Sequence, residues 1–153
     1  MHPNGDVYAQ TSHEIKIDHV VLTDPANPQI ILNSRYVDFC GKFWIAEDGN
    51  RIVTRCSTVL RASLDAKLDR TDNGKLDLMG DLNGFDYSQL SGKAVAVGSS
   101  QFFTGDYSEQ LVIYSYDTLS ADKFMAMPTM TIDGTVLKTR GNYVFFDADG
   151  FDY

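Results

Sequence analysis

Residues Asp69 to Gly80 read DRTDNGKLDLMG, and their oxygen-bearing side chains are spaced as in a calcium loop. In the twelve-residue loop of a helix–loop–helix calcium site, ligands come from alternate positions, a glycine at position 6 makes the sharp turn, and a bidentate glutamate closes position 12. Here Asp69, Thr71 and Asn73 fall at positions 1, 3 and 5, Gly74 at 6 and Asp77 at 9. Position 12 is Gly80, and the DLMGDLNG stretch that follows cannot form an exiting helix. The favoured reading is an acidic, turn-rich surface loop. A calcium ion held by Asp69, Thr71, Asn73 and Asp77 is the sharper alternative, and calcium is the one cofactor the sequence suggests. Asp147, Asp149 and Asp152 form a weaker half-site that reads equally well as solvated turns.

The other reactive residue types are sparse. Cys40 and Cys56 lie sixteen residues apart, on opposite arms of a hairpin about Asp48. If the arms pair with a short loop, the two come within disulfide reach. A disulfide is favoured over two buried thiols, and it fits an exported protein, periplasmic or extracellular. Met125, Met127 and Met130 could offer thioethers to Cu(I), but read better as core side chains. His2, His13 and His19 are scattered, without ligand-spaced partners. No metalloprotease, nucleophile-elbow, CxxC or phosphate-loop pattern occurs. No catalytic residue and no organic-cofactor residue can therefore be named.

The elements that must carry these residues read as strands. Glu14–Val21 places Ile15 and Ile17 on one face, and Gln110–Thr118 places Val112, Tyr114 and Tyr116 on one face. Turn residues separate the runs at Asp48-Gly49-Asn50, Asp72-Asn73-Gly74, Asn83-Gly84, Asp133-Gly134 and Asp149-Gly150. Phe43–Cys56 (FWIAEDGNRIVTRC) is the clearest hairpin, and Thr23–Gln29, with two prolines, is a loop. Only Leu60–Leu68 has leucines at helical spacing, at Leu60, Leu64 and Leu68. The chain of 153 residues is one domain's length, and the fold class is all-β. Its net charge of −8 repels phosphate backbones, so no nucleic-acid partner is expected. No apolar run is long enough to span a membrane, and MHPNGDVYAQ has no signal-peptide core.

Two repeats compete. DLNGFDY (Asp81–Tyr87) and DADGFDY (Asp147–Tyr153) match closely but sit in different contexts. A fainter pattern, a glycine followed by a strand-like run, starts at Gly41 (GKFWIAED), Gly92 (GKAVAVGS) and Gly141 (GNYVFFDA), at spacings of 51 and 49 residues. A period near 50 in an all-β chain leaves room for four short strands, which is one β-propeller blade. The expected division is N-terminal strands and a proline loop over 1–40, a blade over 41–91, a blade over 92–140, and the first strand of another over 141–153. A β-sandwich is the alternative.

At these residues a resemblance emerges. GKFWIAEDGNRIVTRC is similar to the strand–DG–strand hairpin of TolB-type and YVTN-type bacterial propellers. GKAVAVGS followed by EQLVIYSYDTLS resembles the YVTN-type run in which one strand ends and the next closes in Tyr-Asp-x-x-Thr, although the Asp65–Leu90 insertion departs from that pattern. The resemblance implies propeller blades and leaves the ligand open. The function expected is a non-catalytic scaffold or binding module presenting loops to a protein or glycan. The alternative is part of a propeller enzyme, hydrolase or quinoprotein-like, with its catalytic residues in blades elsewhere. About three blades cannot close a ring, so the expected partners include further blades from another chain or self-association.

Overall fold

A computed structural model of the chain describes residues 2–10, 16–31, 40–78, 80–101, 107–126, 130–132 and 135–137. All elements among them are strands; no helix occurs among the described residues. The first sheet is an antiparallel meander of β1 (Val7–Gln10), β2 (Ile17–Val21) and β3 (Gln29–Ile31). The second is β4 (Phe43–Ile45), β5 (Arg51–Thr54), β6 (Thr58–Arg61) and β7 (Asp72–Lys75), paired in chain order. The third, again in chain order, is β8 (Asp81–Ser88), β9 (Lys93–Gln101), β10 (Tyr107–Ser115) and β11 (Ala121–Ala126). A hairpin of β12 (Met130–Ile132) and β13 (Thr135–Leu137) follows. These are small antiparallel sheets of the blade-like kind, so the all-β expectation holds.

Side-chain alternation explains how the sheets stack. Along β4 to β6, Ile52, Leu60 and Ala62 join Phe43 and Ile45 in one cluster, with Tyr8 and Ile17 of the first sheet. The intervening residues Trp44, Ala46, Val53 and Val59 join the other cluster, with Leu82, Tyr87, Ala94, Ala96, Val112, Tyr114 and Tyr116 of the third sheet. The second sheet is therefore buried on both faces, which is why Ile52, Val53 and Thr54 of β5 are buried in succession instead of alternately. In the third sheet, Ala94 of β9 is flanked by Tyr87 of β8 and Tyr114 of β10, and Ala96 by Phe85 and Val112. Small residues between large ones let the facing sheet interdigitate. Val112, Tyr114 and Tyr116 lie on the buried face, as their spacing predicts.

The structure corrects two expectations. Leu60–Leu68 is not helical: Leu60 lies on β6 facing inward, while Leu64 and Leu68 are 68% and 43% exposed on a turn. With one leucine of three buried, the helical spacing has no apolar face to dock. Ser63 and Asp65 side chains cap the amides of Asp65 and Lys67, closing a tight turn that ends at Arg70 with φ 57°. The glycine-led runs also fail to mark equivalent strands. Gly41 precedes β4, an edge strand, whereas Gly92 precedes the internal strand β9. What they share is a left-handed backbone, φ 100° and 62°, turning the chain into a strand. The edge strand β8, which contains DLNGFDY, is the counterpart of β4, so the sheets divide between Lys75 and Asp81. Gly141–Ala148 and DADGFDY lie outside the described residues, as do Ile15, His13, Met127, Asp147, Asp149 and Asp152.

The turns gather at two ends. At one, the β4–β5 turn meets the β10–β11 and β8–β9 turns: Tyr116 Oη donates to Asp48 Oδ1 (2.8 Å), Arg51 donates to the carbonyls of Tyr116 and Asp117, and the Gln89 amide donates to Glu47 Oε2 (2.8 Å). The Arg51 guanidinium lies 4.4 Å from the Tyr116 ring centroid, and Tyr116 stacks on Tyr87 at 3.6 Å. At the other end, a disulfide joins Cys40 to Cys56, with Cα atoms 5.6 Å apart, as the hairpin spacing predicts.

Candidate functional site

The strongest constellation of polar groups lies between the first and second sheets. Strand alternation builds it from the β2 side, because His19 falls in the same register as Ile17 and points inward. Tyr8 on β1, paired with His19, points the same way. Their rings stack with centroids 4.4 Å apart. The turn before β7 supplies Asp69 and Arg70, and the segment before β1 supplies Asp6. All of these side chains are buried, with His19 and Asp69 each 1% exposed.

The hydrogen bonds form a closed set. His19 Nδ1 lies 3.0 Å from Asp69 Oδ2, and Nε2 lies 3.1 Å from Asp6 Oδ2. The other Asp69 oxygen accepts from Tyr8 Oη (2.8 Å) and the Ser63 amide (3.1 Å). Asp6 accepts from the Leu22 amide (3.1 Å) and Asn4 Nδ2 (2.9 Å). Arg70 donates to the carbonyls of Ile17 (2.6 Å) and Ile31 (2.9 Å), so one guanidinium ties β2 and β3 to the second sheet. Its Nε sits 2.9 Å from Asp69 Oδ2 but out of line for a hydrogen bond, so that contact is Coulombic.

Each carboxylate here is surrounded by donors, and a carboxylate can only accept. With hydrogen on both ring nitrogens, the imidazole bonds both carboxylates at once, and two carboxylates, that ring and one guanidinium then sum to zero, the condition under which buried charges are tolerated. Burial pushes the Asp6 carboxyl upward. The Leu22 amide, the His19 and Asn4 hydrogen bonds and the His19 charge together outweigh it, and its pKa lies below the ordinary value. Burial, then the hydrogen bond to Asp69 and its charge, push the Tyr8 hydroxyl well above its usual range. Between the second and third sheets, burial and the Asp77 charge push Tyr114 up to about 12, and its hydroxyl donates to the Asp77 carbonyl (3.0 Å).

Chemically, this cluster is a clasp. Both ring nitrogens of His19 are committed, so the imidazole has no nitrogen left to take a proton from a bound molecule. The calcium-loop residues are distributed differently from what a loop requires. Asp69 faces inward among protein donors. Thr71 Oγ1 donates to the Leu68 carbonyl (2.7 Å), and Asn73 lies half-buried on β7. Asp77 is exposed beyond the opposite end of that strand. Among the described residues, no group of three or more His, Cys, Asp and Glu is placed to hold a metal ion. Met125 lies partly buried on β11.

In the structure Asp69 meets Tyr8, His19 and Arg70, which no pattern in the sequence connects to it. A signal was present: the period that puts Ile17 inward puts His19 inward too, and a titratable ring in a core register needs partners. Those partners come from positions 13 and 50 residues away, which no local pattern connects.

Compared with models of protein families, with curated proteins and with solved structures, the chain matches none.

Proposed function

We propose that the chain is a non-catalytic scaffold of propeller-type blades, resembling the TolB and YVTN types, which presents loops to a protein or glycan partner and completes its ring by association. The observation that carries this reading is the face-to-face stacking of two four-stranded meanders in the same strand order, the second sheet covered on both faces. Among the described residues the first sheet packs against one neighbouring sheet, the second. On its outer face Val7, Val20 and Ile30 sit side by side across three strands, and Ile30 is 59% exposed. That row fits coverage by a further sheet.

The loop-bearing end is where a ligand would meet the protein. Asp24, Glu47, Asp65 and Asp117 are exposed there, a charge pattern that suits a basic protein surface or a neutral glycan better than a phosphate backbone. The Cys40–Cys56 disulfide is compatible with an oxidising location, and export is part of the proposal. Light scattering at micromolar concentration should give a multiple of the 17.0 kDa chain mass. A monodisperse monomer unfolding in one transition would mean that the sheets close in another way. Glycan-array binding lost in an Asp65→Ala/Asp117→Ala variant of unchanged melting temperature would support the loop end as the binding surface. Equal binding by that variant would move the ligand elsewhere.

A further inference from the structure

The end opposite the loops converges on three residues, Arg55 to Ser57, at the tip of the β5–β6 turn. The Arg55 amide donates to the Lys42 carbonyl (2.8 Å), holding the chain where it enters the second sheet. The Leu76 amide donates to the Ser57 carbonyl (2.9 Å), holding the chain where it leaves that sheet. The Leu82 amide donates to the Arg55 carbonyl (2.8 Å), and Arg55 pairs with Asp81 (3.0 Å), holding the start of the third sheet. The Cys40–Cys56 bridge is the covalent member of this hub.

The backbone around the bridge is held in conformations it would not choose. Cys40 has φ 47° and Ser57 φ 69°, left-handed values that residues with a Cβ avoid, and Gly41 follows at φ 100°. Ser57 Oγ is buried without a hydrogen-bond partner. Such a conformation persists where the surroundings over-determine it, and at Cys40 a covalent bond does so. Cys40 is exposed and Cys56 only half-buried, so the bridge is open to attack from solvent.

We propose that Cys40–Cys56 is a reducible latch: a dithiol opens it in the folded protein, and opening loosens the hub while leaving the stacked sheets intact. The thiolate of the dithiol attacks Cys40 Sγ, forming a mixed disulfide, and Cys56 leaves as a thiolate that takes up a proton. The dithiol's second thiol then displaces Cys40 Sγ, which is protonated in turn. Two electrons and two protons pass to the protein, and the dithiol becomes a disulfide. Cys40 then relaxes out of its left-handed conformation and the segment entering β4 swings from the hub. The sheets stay together because the apolar clusters, which Leu76 and Leu82 join by their side chains, and the His19 clasp do not include the sulfur bridge.

The test is native-state reduction of the full chain with dithiothreitol, thiols being trapped with iodoacetamide and weighed by mass spectrometry, alongside amide hydrogen exchange. The expected rate of reduction is proportional to dithiothreitol and unaffected by low urea. Exchange at the Arg55, Leu76 and Leu82 amides should rise about tenfold or more, with the β9 and β10 amides unchanged. Reduction that accelerates with urea in step with global unfolding would overturn the proposal. So would reduction with unchanged exchange at the three amides, or with exchange rising everywhere. A Cys40→Ser/Cys56→Ser variant should show the same local pattern without reductant; if it does not fold, the latch is a staple and the proposal fails.

Discussion

Replacing Asp69 with asparagine tests the clasp at its centre. The change keeps shape and keeps one oxygen, which can still accept from Tyr8 and the Ser63 amide. The other oxygen becomes an amino group facing His19 Nδ1 at 3.0 Å and Arg70 Nε at 2.9 Å, so donors point at a donor. One negative charge is lost while the Arg70 guanidinium stays buried beside His19, and breaking a buried pair in this way costs about 3–5 kcal/mol. Against a typical total stability of about 5–15 kcal/mol, that is a large fraction. At about 2–4 °C per kcal/mol for a chain of this size, the melting temperature should fall by roughly 6–20 °C. Urea titration followed by far-ultraviolet circular dichroism reads the loss directly. Adding His19→Gln to Asp69→Asn should cost less than the sum of the two single changes, because each change alone breaks the same His19–Asp69 contact. A loss under about 1 kcal/mol, or strict additivity, would mean that the four charges do not form one buried set.

Three further outcomes follow from other parts of the molecule. Since the Asp6 pKa is lowered in the folded state, its contribution is present above the unfolded carboxyl value near 4 and lost as pH falls through the folded value. Asp6→Asn should therefore flatten the fall in stability below about pH 4, and an acid limb as steep as the parent's would remove Asp6 from the account. Gly49 has φ 70°, and a Cβ there would lie 2.7 Å from His2 Nε2 and 2.8 Å from Pro3 Cδ, so Gly49→Ala should cost about 1–3 kcal/mol in urea and break the bond from His2 Nε2 to the Gly49 carbonyl. Millimolar calcium should leave the melting temperature unchanged, because Asp69 and Asp77 stand at opposite ends of β7; a rise that Asp77→Ala abolishes would restore the calcium loop.

The parts of this fold that were legible in the sequence are those set by neighbours along the chain. The Phe43–Cys56 hairpin follows from its turn residues, and the buried face of Val112, Tyr114 and Tyr116 from period-2 spacing. Leu60–Leu68 misled because helical spacing of leucines is compatible with a strand end and a turn once tertiary packing selects only Leu60. The glycine runs misled because a left-handed turn residue followed by apolar side chains marks the start of a strand, not its place in a sheet. The clasp was hidden for a different reason. The period gives His19 its inward register, but Asp6, Asp69 and Arg70, each taken alone in sequence, look like surface residues, and the clasp exists only where they meet.

Burial of the second sheet on both faces has a consequence for how the chain finds its alignment. Ordinarily a one-residue slip between strands turns apolar side chains out to water and is rejected at once. In β5, Ile52, Val53 and Thr54 are all buried, so among these three a slip would trade one interior position for another, and only the flanking Arg51 and Arg55 would register it. Hydrophobicity there says that the strand belongs inside, but not where along its neighbours it should stop. That choice falls to fixed points at the margins: Gly49 in its tight turn, Arg51 reaching the Tyr116 carbonyl, and the sulfur bridge at the far end. The ends of the strand carry the information that its middle lacks. Errors of assembly should therefore arise most readily when those ends, and not the core, are altered.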